Sequence, residues 1–598
     1  MAIKTNPEAA HCEEVYLAGT GKVYLPPCQV GCPVGEDIQK TNTLIAHLPQ
    51  GEKAAHDLII QIGDAIYEKN PLFILCSYVC GLCEKQCNYK DETGAIRRKM
   101  LKRFLITEYL PYLNTKPAMA RTTGEKVAII GGGPGGLFAA WELSKKGYQP
   151  TIFERSNHLG GAMRWIPPYR LPGAVFEQVM QNLVRIASVK VEYGFKAGEP
   201  GKTLADLEKQ GYKAVFIATG TPAPRPLTFG RDMVSGNDLE GVMMGLNLLA
   251  DVDRGIVPPD LFKGKKCLVV GGGNVAFDVA RVARRLSGDV TMLCLENADK
   301  TSKDGIPADV EEIEGAIEEG VKINYSRGVN QIIGESGKFK GLKAPKCVSV
   351  FDAPGVFNPR FDLNDVITVN GDVLLITIGQ GPERQFFQQE GLLNAQGRID
   401  VDPVTLESNI KKNVFIGGDV RRVGFAAEAM HEGQIAAESI DRSLTGKDMK
   451  AGRVKDYEKA AMPKRSKYKE QAEIEWLPVE ERLNFEPFEK GYTLAEAVTE
   501  AKRCLDCGPC KSCKGCVFMG LQEEIPEIEV NKELCSGCGI CASLCAYDAI
   551  KIKKEGDKLT MTIDLDKCKR CGLCVAGCPS GAITIKDKFA EALAAGVK

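Results

Sequence analysis

Residues 126–154 read KVAIIGGGPGGLFAAWELSKKGYQPTIFE. An apolar run, Val127–Ile130, leads into Gly131-x-Gly133-x-x-Gly136. Helical periodicity follows over Leu137–Lys146, and a second apolar run ends on Glu154. Strand, glycines, helix, strand and acid in this order make a dinucleotide cradle; the glycines alone would not. Gly131 permits the tight turn. Gly133 lets a pyrophosphate approach the backbone at the helix N-terminus, and Gly136 lets helix and strand pack closely. Glu154 lies 23 residues after Gly131, where an acid accepts both ribose hydroxyls.

A second cradle follows at 266–296, KCLVVGGGNVAFDVARVARRLSGDVTMLCLE. The strand Cys267–Val270 runs into Gly271-x-Gly273-x-x-Ala276; alanine at the third position still allows close packing. A helix is expected over about Val275–Leu286, then a strand Val290–Leu295 ending at Glu296. Two nucleotide folds in one chain point to a flavin and a nicotinamide. A 2′-phosphate calls for arginine near Glu296, yet the chain reads Leu295-Glu296-Asn297-Ala298. NADH is therefore expected over NADPH; the other reading makes Glu296 a solvated loop acid, with Lys300 or Lys303 reaching the phosphate. Cys267, Cys294 and Cys347 read as core packing.

The other 20 of 23 cysteines lie outside this middle region. Cys535-Cys538-Cys541-Cys545 and Cys568-Cys571-Cys574-Cys578 each read C-x2-C-x2-C-x3-C, the run of a two-cluster ferredoxin. The fourth cysteine of each run binds the other cluster. Cys535, Cys538, Cys541 and Cys578 should hold one [4Fe–4S] cube, and Cys568, Cys571, Cys574 and Cys545 the second. Upstream, Cys12, Cys28, Cys32, Cys76, Cys80, Cys83 and Cys87 make seven thiolates, one short of two cubes. Cys504, Cys507, Cys510, Cys513 and Cys516 form a ladder after a helix at Leu494–Arg503. The ladder either closes locally around one cluster or sends Cys504 and Cys507 back to the upstream set. Local loops close at less entropic cost, which favours the first arrangement. A structural zinc is the bland reading of the ladder.

Length, 598 residues, suits several domains, and a formal net charge of −1 gives no basic bias toward nucleic acid. No apolar stretch approaches the roughly 20 residues of a membrane span, and the first residues lack a signal-peptide core. Cytoplasm and reduced thiols are the expectation, so the cysteines read as metal ligands rather than disulfides. None of the five histidines, His11, His47, His56, His158 and His431, falls in a metal-ligand pair.

Six ordered stretches over 124–445 resemble the glutamate synthase small-subunit family, which includes the N-terminal half of dihydropyrimidine dehydrogenase and the large subunit of NADH-dependent ferredoxin:NADP oxidoreductase. They are GGGPGGLFAAWEL, WIPPYRLPG (165–173), VFIATGTPAPRPL (215–227), GGGNVAFDVAR (271–281), DVLLITIGQGPE (372–383) and NVFIGGDVRRVGFAAEAMHEGQIAAESI (413–440). The resemblance implies an α/β chain of two Rossmann-like nucleotide domains, with the nicotinamide domain inserted into the FAD domain. A helical iron–sulfur domain precedes them, and an α+β 2[4Fe–4S] ferredoxin domain follows. The expected division is 1–122 helical iron–sulfur domain, 123–237 and 366–445 FAD domain, 238–365 nicotinamide domain, 446–503 linker with a helix, 504–520 cysteine ladder and 521–598 ferredoxin domain. Asp419 matches the family residue at the FAD ribityl–phosphate region, and Gly379 sits in the loop between the nucleotides. The N-terminal half departs from the family by lacking its opening C-x-x-C. Residues 480–507 look like that missing segment, displaced.

The implied route runs from NADH through FAD to three or four [4Fe–4S] clusters, five at most, or the reverse, and needs no catalytic acid–base side chain. No FMN barrel is readable, so the second substrate site is expected on another redox subunit of an anaerobic complex, or on a soluble ferredoxin. The alternatives are a free-standing NAD(P)H:ferredoxin oxidoreductase and a wiring scaffold, as in a bifurcating complex, whose nicotinamide fold is idle.

Overall fold

The computed structural model describes residues 23–49, 51–120, 124–353, 355–453, 457–459, 469–505, 507, 527–545, 548–556, 558–564, 568 and 573–586. Cys12, Cys510, Cys513, Cys516 and Cys571 lie outside them.

The N-terminal unit is built on helices α1 (Ile38–Ala46), α2 (Glu52–Lys69), α3 (Phe73–Tyr78) and α4 (Arg98–Thr115). Their apolar faces do not close on themselves. Tyr67 meets Trp141 edge-on at 5.1 Å between ring centroids, and Trp141 Nε1 donates to the Glu68 carbonyl at 3.1 Å. One continuous apolar core therefore spans this helical unit and the nucleotide fold behind it.

That fold begins with β1 (Lys126–Ile130), helix α5 (Pro134–Lys145), β2 (Gln149–Phe153), β3 (Lys190–Glu192) and β4 (Tyr212–Ile217). All but the first residue of β1 and β2 are buried, as expected for parallel strands covered on both faces. The chain then leaves to build a second parallel sheet from β5 (Val242–Met244), β6 (Lys266–Val270), β7 (Asp289–Leu293), β8 (Lys322–Asn324) and β9 (Val373–Ile376), in the order β8-β7-β6-β9-β5. Helices α6 (Asn274–Arg285) and α7 (Val310–Glu318) pack on it, and an antiparallel sheet (Gln331–Glu335, Lys338–Phe351, Phe357–Asn370) projects beside it. The chain returns to complete the first sheet with β10 (Val414–Ile416), giving β10-β4-β1-β2-β3. Helix α8 (Ala426–Leu444) then lies against α5. Gly433 makes the close approach possible, since a Cβ there would stand 2.2 Å from the Gly135 carbonyl oxygen.

The insertion is thus real, but its end lies further on than position 365. Val373–Ile376 pairs with both β6 and β5, inside the second sheet. The crossing back is a two-residue ladder, Gln380–Gly381 on Ala223–Pro224.

Residues 469–505 are not a free linker. Trp476 and Phe488 pack on the inserted fold, where Arg281 and Arg482 lie over the Phe488 ring, and Arg482 pairs with Glu318 at 2.6 Å. The segment then ends in α9 (Leu494–Ala501), capped by the Thr493 hydroxyl, whose Ala497, Val498 and Ala501 are buried in the helical unit's core. The strap binds the inserted fold and the helical unit together.

The C-terminal module is small. Glu527–Val530 pairs antiparallel with Ile583–Lys586, and Ile550–Glu555 with Lys558–Ile563. Its core is built around Cys535, Cys541 and Cys574 with Ile550, Met561 and Ile583.

Among the described residues no helix is long and apolar enough to cross a membrane.

Candidate functional site

The first cradle opens into a cleft of about 710 Å³, within the range of small-molecule and cofactor sites. Gly131, Gly133, Glu154 and Asp419 line it. Gly131 has φ +111°, and a Cβ would meet the Ala218 carbonyl oxygen at 2.4 Å, so only glycine makes this turn. Gly136 does not line the cleft; a Cβ there would collide with the Gly131 carbonyl oxygen, which is why the helix can sit so close. Gly133 has only Gly161 Cα within 4 Å of its Cβ position, leaving the helix N-terminus open to a phosphate. The Glu154 carboxylate accepts from Gly132 N at 2.7 Å and Ser156 N at 2.8 Å, which fixes it at the strand end. Two further features fit a polar, many-hydroxyl ligand such as the ribityl chain of FAD. Thr221 Oγ1 is buried on the cleft wall and has no partner among the described residues. Burial pushes the Asp419 carboxyl up to about 6. The sequence reading missed Thr221, because nothing in TGTPAP marks which hydroxyl is buried.

The second cradle repeats the geometry with one difference. Gly271 has φ +143°, Gly273 has nothing within 4 Å of its Cβ position, and Ala276 is fully buried. A Cβ on Gly272 would stand 2.4 Å from Glu296 Oε2, so Glu296 reaches its cradle much as Glu154 reaches Gly132. No cation pairs with Glu296 among the described residues, and burial raises its carboxyl above the ordinary range. Asn274, at the start of α6, exchanges hydrogen bonds with Asp309, and Lys85 of the helical unit pairs with Asp309 and lies over the Phe425 ring. Gly379, φ +110°, sits at the crossing between the folds, where its carbonyl accepts from Arg225 N at 3.1 Å; it does not line the cleft.

The cysteines of the helical unit fall into two sets. Cys76 and Cys80 lie together, Asn70 Nδ2 stands 3.5 Å from Cys76 Sγ, and the pair packs directly against Ala427 in the first turn of α8. Cys32 faces Cys76, and Cys83 faces Cys32. On the other side Cys28, Cys83, Cys87, Cys504 and Cys507 surround one internal void. Burial and the neighbouring thiols push Cys28 well up. Crowded buried thiols disfavour one another's ionised forms, a cost that iron reverses by holding them as thiolates. Among the described residues no three Cys, His, Asp or Glu side chains converge on a single-ion site; the thiols surround volumes instead.

Cys504 and Cys507 thus stand with the N-terminal cysteines, against the expectation of a local ladder. Closing a loop of 476 residues (28 to 504) rather than 12 (504 to 516) costs roughly 3 kcal/mol more, at about 0.6 kcal/mol per doubling. Full burial of Val498 and Leu505 contributes roughly 1.5–3 kcal/mol each. Glu500, fully buried, also pairs with Arg503 at 2.6 Å and accepts from Arg97 N at 2.8 Å and Ala472 N at 2.9 Å. Docking of α9 outweighs the longer loop.

In the C-terminal module, Cys535, Cys538, Cys541 and Cys578 line one small cavity. Gly537 and Gly539 carry φ +67° and +77°, turning the loop so that three cysteines face inward. Cys545 and Cys574 belong to the same small core, Cys568 is buried, and Cys545 Sγ accepts from Ala549 N at 3.3 Å. Cys267, Cys294 and Cys347 are buried in the inserted fold.

The family model for pyridine nucleotide-disulphide oxidoreductases matches residues 125–433, and that for the 4Fe-4S dicluster domain matches 534–582. The chain is 32% identical to the NADP(+)-dependent formate dehydrogenase subunit beta of Moorella thermoacetica, over 65% of this chain and 55% of that one. It is 27% identical to the putative oxidoreductase YgfK of Escherichia coli, over 90% of this chain and 49% of that one. It is 28% identical to the glutamate synthase [NADPH] small chain of Halomonas elongata, over 69% of this chain and 87% of that one. The chain spans about half the length of the first two. With both cradles and both matches in place, the chain belongs to the pyridine nucleotide-disulphide oxidoreductase family, as a flavin-dependent oxidoreductase of glutamate synthase small-subunit type joined to a 4Fe-4S dicluster ferredoxin domain.

Proposed function

We propose that this chain passes electrons between a nicotinamide dinucleotide and a relay of [4Fe–4S] clusters, which exchanges them with a second redox polypeptide or a ferredoxin. The observation that carries this reading is the packing of Cys76 and Cys80 on Ala427, which joins a thiol nest to the helix whose first residue, Ala426, lines the flavin cleft. When bound, a flavin takes a hydride from a nicotinamide and gives single electrons to clusters, or the reverse. The chain's own residues position and insulate. Glu154, Thr221 and Asp419 hold hydroxyls, Gly133 admits the pyrophosphate, and the N-terminus of α8 favours negative charge on the ring system.

In this reading Cys32, Cys76, Cys80 and Cys83 form the nest beside the cleft, and Cys28, Cys87, Cys504 and Cys507 the nest beyond it. Cys507 leads along the chain toward Cys510, Cys513 and Cys516 and the ferredoxin domain. Eight thiolates in the helical unit and eight in the ferredoxin domain make four clusters, about 16 iron atoms per chain. Bleaching of flavin absorbance by a reduced nicotinamide in the isolated chain is the expected result; no bleaching means an idle nicotinamide fold. The partner reading draws on similarity to a protein named as a formate dehydrogenase subunit. Anoxic purification should bring down a second redox chain; a lone chain that reduces ferredoxin would favour the free-standing enzyme.

NADH is the preferred nucleotide in this proposal. Glu296 is a desolvated carboxylate without a paired cation among the described residues, suited to ribose hydroxyls and repellent to a 2′-phosphate. Two of the three similar proteins named above carry NADP(H) in their names, so the ratio of bleaching rates decides. Faster bleaching by NADPH overturns the NADH assignment.

A further inference from the structure

Between the two thiol nests lies a buried polar network that neither nucleotide site uses. Glu36, Arg98 and Lys102 are each 2% exposed. Arg98 Nη2 donates to Glu36 Oε1 at 2.9 Å, and Lys102 pairs with Glu36 Oε2. Among the described residues, two cations share one carboxylate here, which leaves one positive charge uncompensated. Arg98 and Lys102 stand four residues apart on α4, so one helix face delivers both. Neutral amides connect the network to sulfur at either end. Asn70 Nδ2 lies 3.5 Å from both Glu36 Oε2 and Cys76 Sγ, and Asn42, which accepts from Arg98 Nη1 at 3.0 Å, lies 3.5 Å from Cys504 Sγ.

The charge is not centred. Lys102 pairs with Glu36 Oε2, the oxygen that Asn70 bridges to Cys76 on the cleft side. Arg98 stands between the nests and also lines the far void. A reduced cluster carries one more negative charge than an oxidised one. A fixed cation beside it in a low-dielectric core favours the reduced form.

We infer that Lys102, anchored by Glu36, makes the cleft-side nest the more readily reduced of the two, so that an electron leaving the flavin cleft is captured there before it crosses to the far nest. Lys102 is then a positioning residue for charge, not a ligand. The inference rests on the cluster assignment proposed above.

The test is an anoxic redox titration of the full chain, loaded with FAD and clusters, followed by the paramagnetic signal of each reduced cluster. Loss of one signal in Cys80→Ser identifies the cleft-side cluster. In Lys102→Met that cluster should become harder to reduce by about tenfold or more in equilibrium constant, about 59 mV for one electron. The ferredoxin clusters should not move. Lys102→Arg should restore the original value, and Glu36→Gln should shift it the other way. An unmoved cleft-side potential at full iron content overturns the inference, and so does an equal shift of both N-terminal clusters. Should Lys102→Met fail to load iron, Glu36→Gln decides alone: no upward shift overturns it. Failure of the underlying assignment looks different, as wild-type protein short of about eight iron atoms with no signal lost in Cys80→Ser.

Discussion

The ferredoxin module and the helical unit both gather thiols, but by opposite means. In the module, Cys535, Cys538 and Cys541 come from one seven-residue loop turned by Gly537 and Gly539, with Cys578 arriving across a short antiparallel pair. Among its described cysteines, Cys538 is exposed and Cys545 and Cys578 are half-buried. In the helical unit the thiols come from three segments, 28–32, 76–87 and 504–507, and close over buried ions. The module's sites depend on a loop. The helical unit's far nest depends on Cys504, just beyond α9 and 462 residues along the chain from the Asn42 it contacts. Electron-transfer sites of similar make-up can therefore differ wholly in what would destroy them.

The largest effect expected from that difference is on Glu500→Ala. It strands Arg503, which is 2% exposed, and removes the acceptor for two backbone N–H groups. Breaking a buried pair of this kind costs about 3–5 kcal/mol. Thermal unfolding should show a destabilised helical unit and about four iron atoms lost per chain, with the ferredoxin signals intact. Unchanged N-terminal clusters in this variant would break the comparison. A smaller effect is expected at the second cradle, where Glu296→Arg should move the NADH/NADPH ratio of flavin bleaching toward NADPH by about 10-fold or more; a bidentate phosphate contact is worth that much. The smallest is electrostatic. The Asp419 carboxyl is raised to about 6 by burial, so in the folded state its charged form is disfavoured. Its ionisation opposes folding above pH 6, and the penalty fades as pH falls through 6 toward the ordinary carboxylate range. Asp419→Asn in flavin-stripped protein should raise the melting temperature above pH 6 and lose that advantage by about pH 4. A gain that is independent of pH would assign the effect to packing instead.

The same difference decides what was legible in the sequence. Both cradles and the ferredoxin pairing follow from local spacing, where strand, turn and helix are contiguous; the insertion came only with the family resemblance. The end of the insertion was misjudged because Val373–Ile376 is a short apolar strand, and such a run carries no mark of which of two parallel sheets it joins. The sequence left Cys504 and Cys507 between two placements, and favoured the local one, for a deeper reason. Counting cysteines weighs loop closure but not the burial of Val498, Ala501 and Leu505 or the pairing of Glu500 with Arg503. A trace of the charge network was present: Arg98 and Lys102 share a helix face with Leu101 and Leu105, both fully buried. Cations on an otherwise apolar stripe point to a buried acceptor, here Glu36.

The claim that Cys504 and Cys507 complete an N-terminal nest is tested most directly by iron counting in a double-variant cycle. Cys28→Ser and Cys504→Ser should each lose about four iron atoms per chain, and the double variant should lose the same four, because both thiols serve one cluster. A double variant that loses about eight would place them on separate clusters and contradict the account.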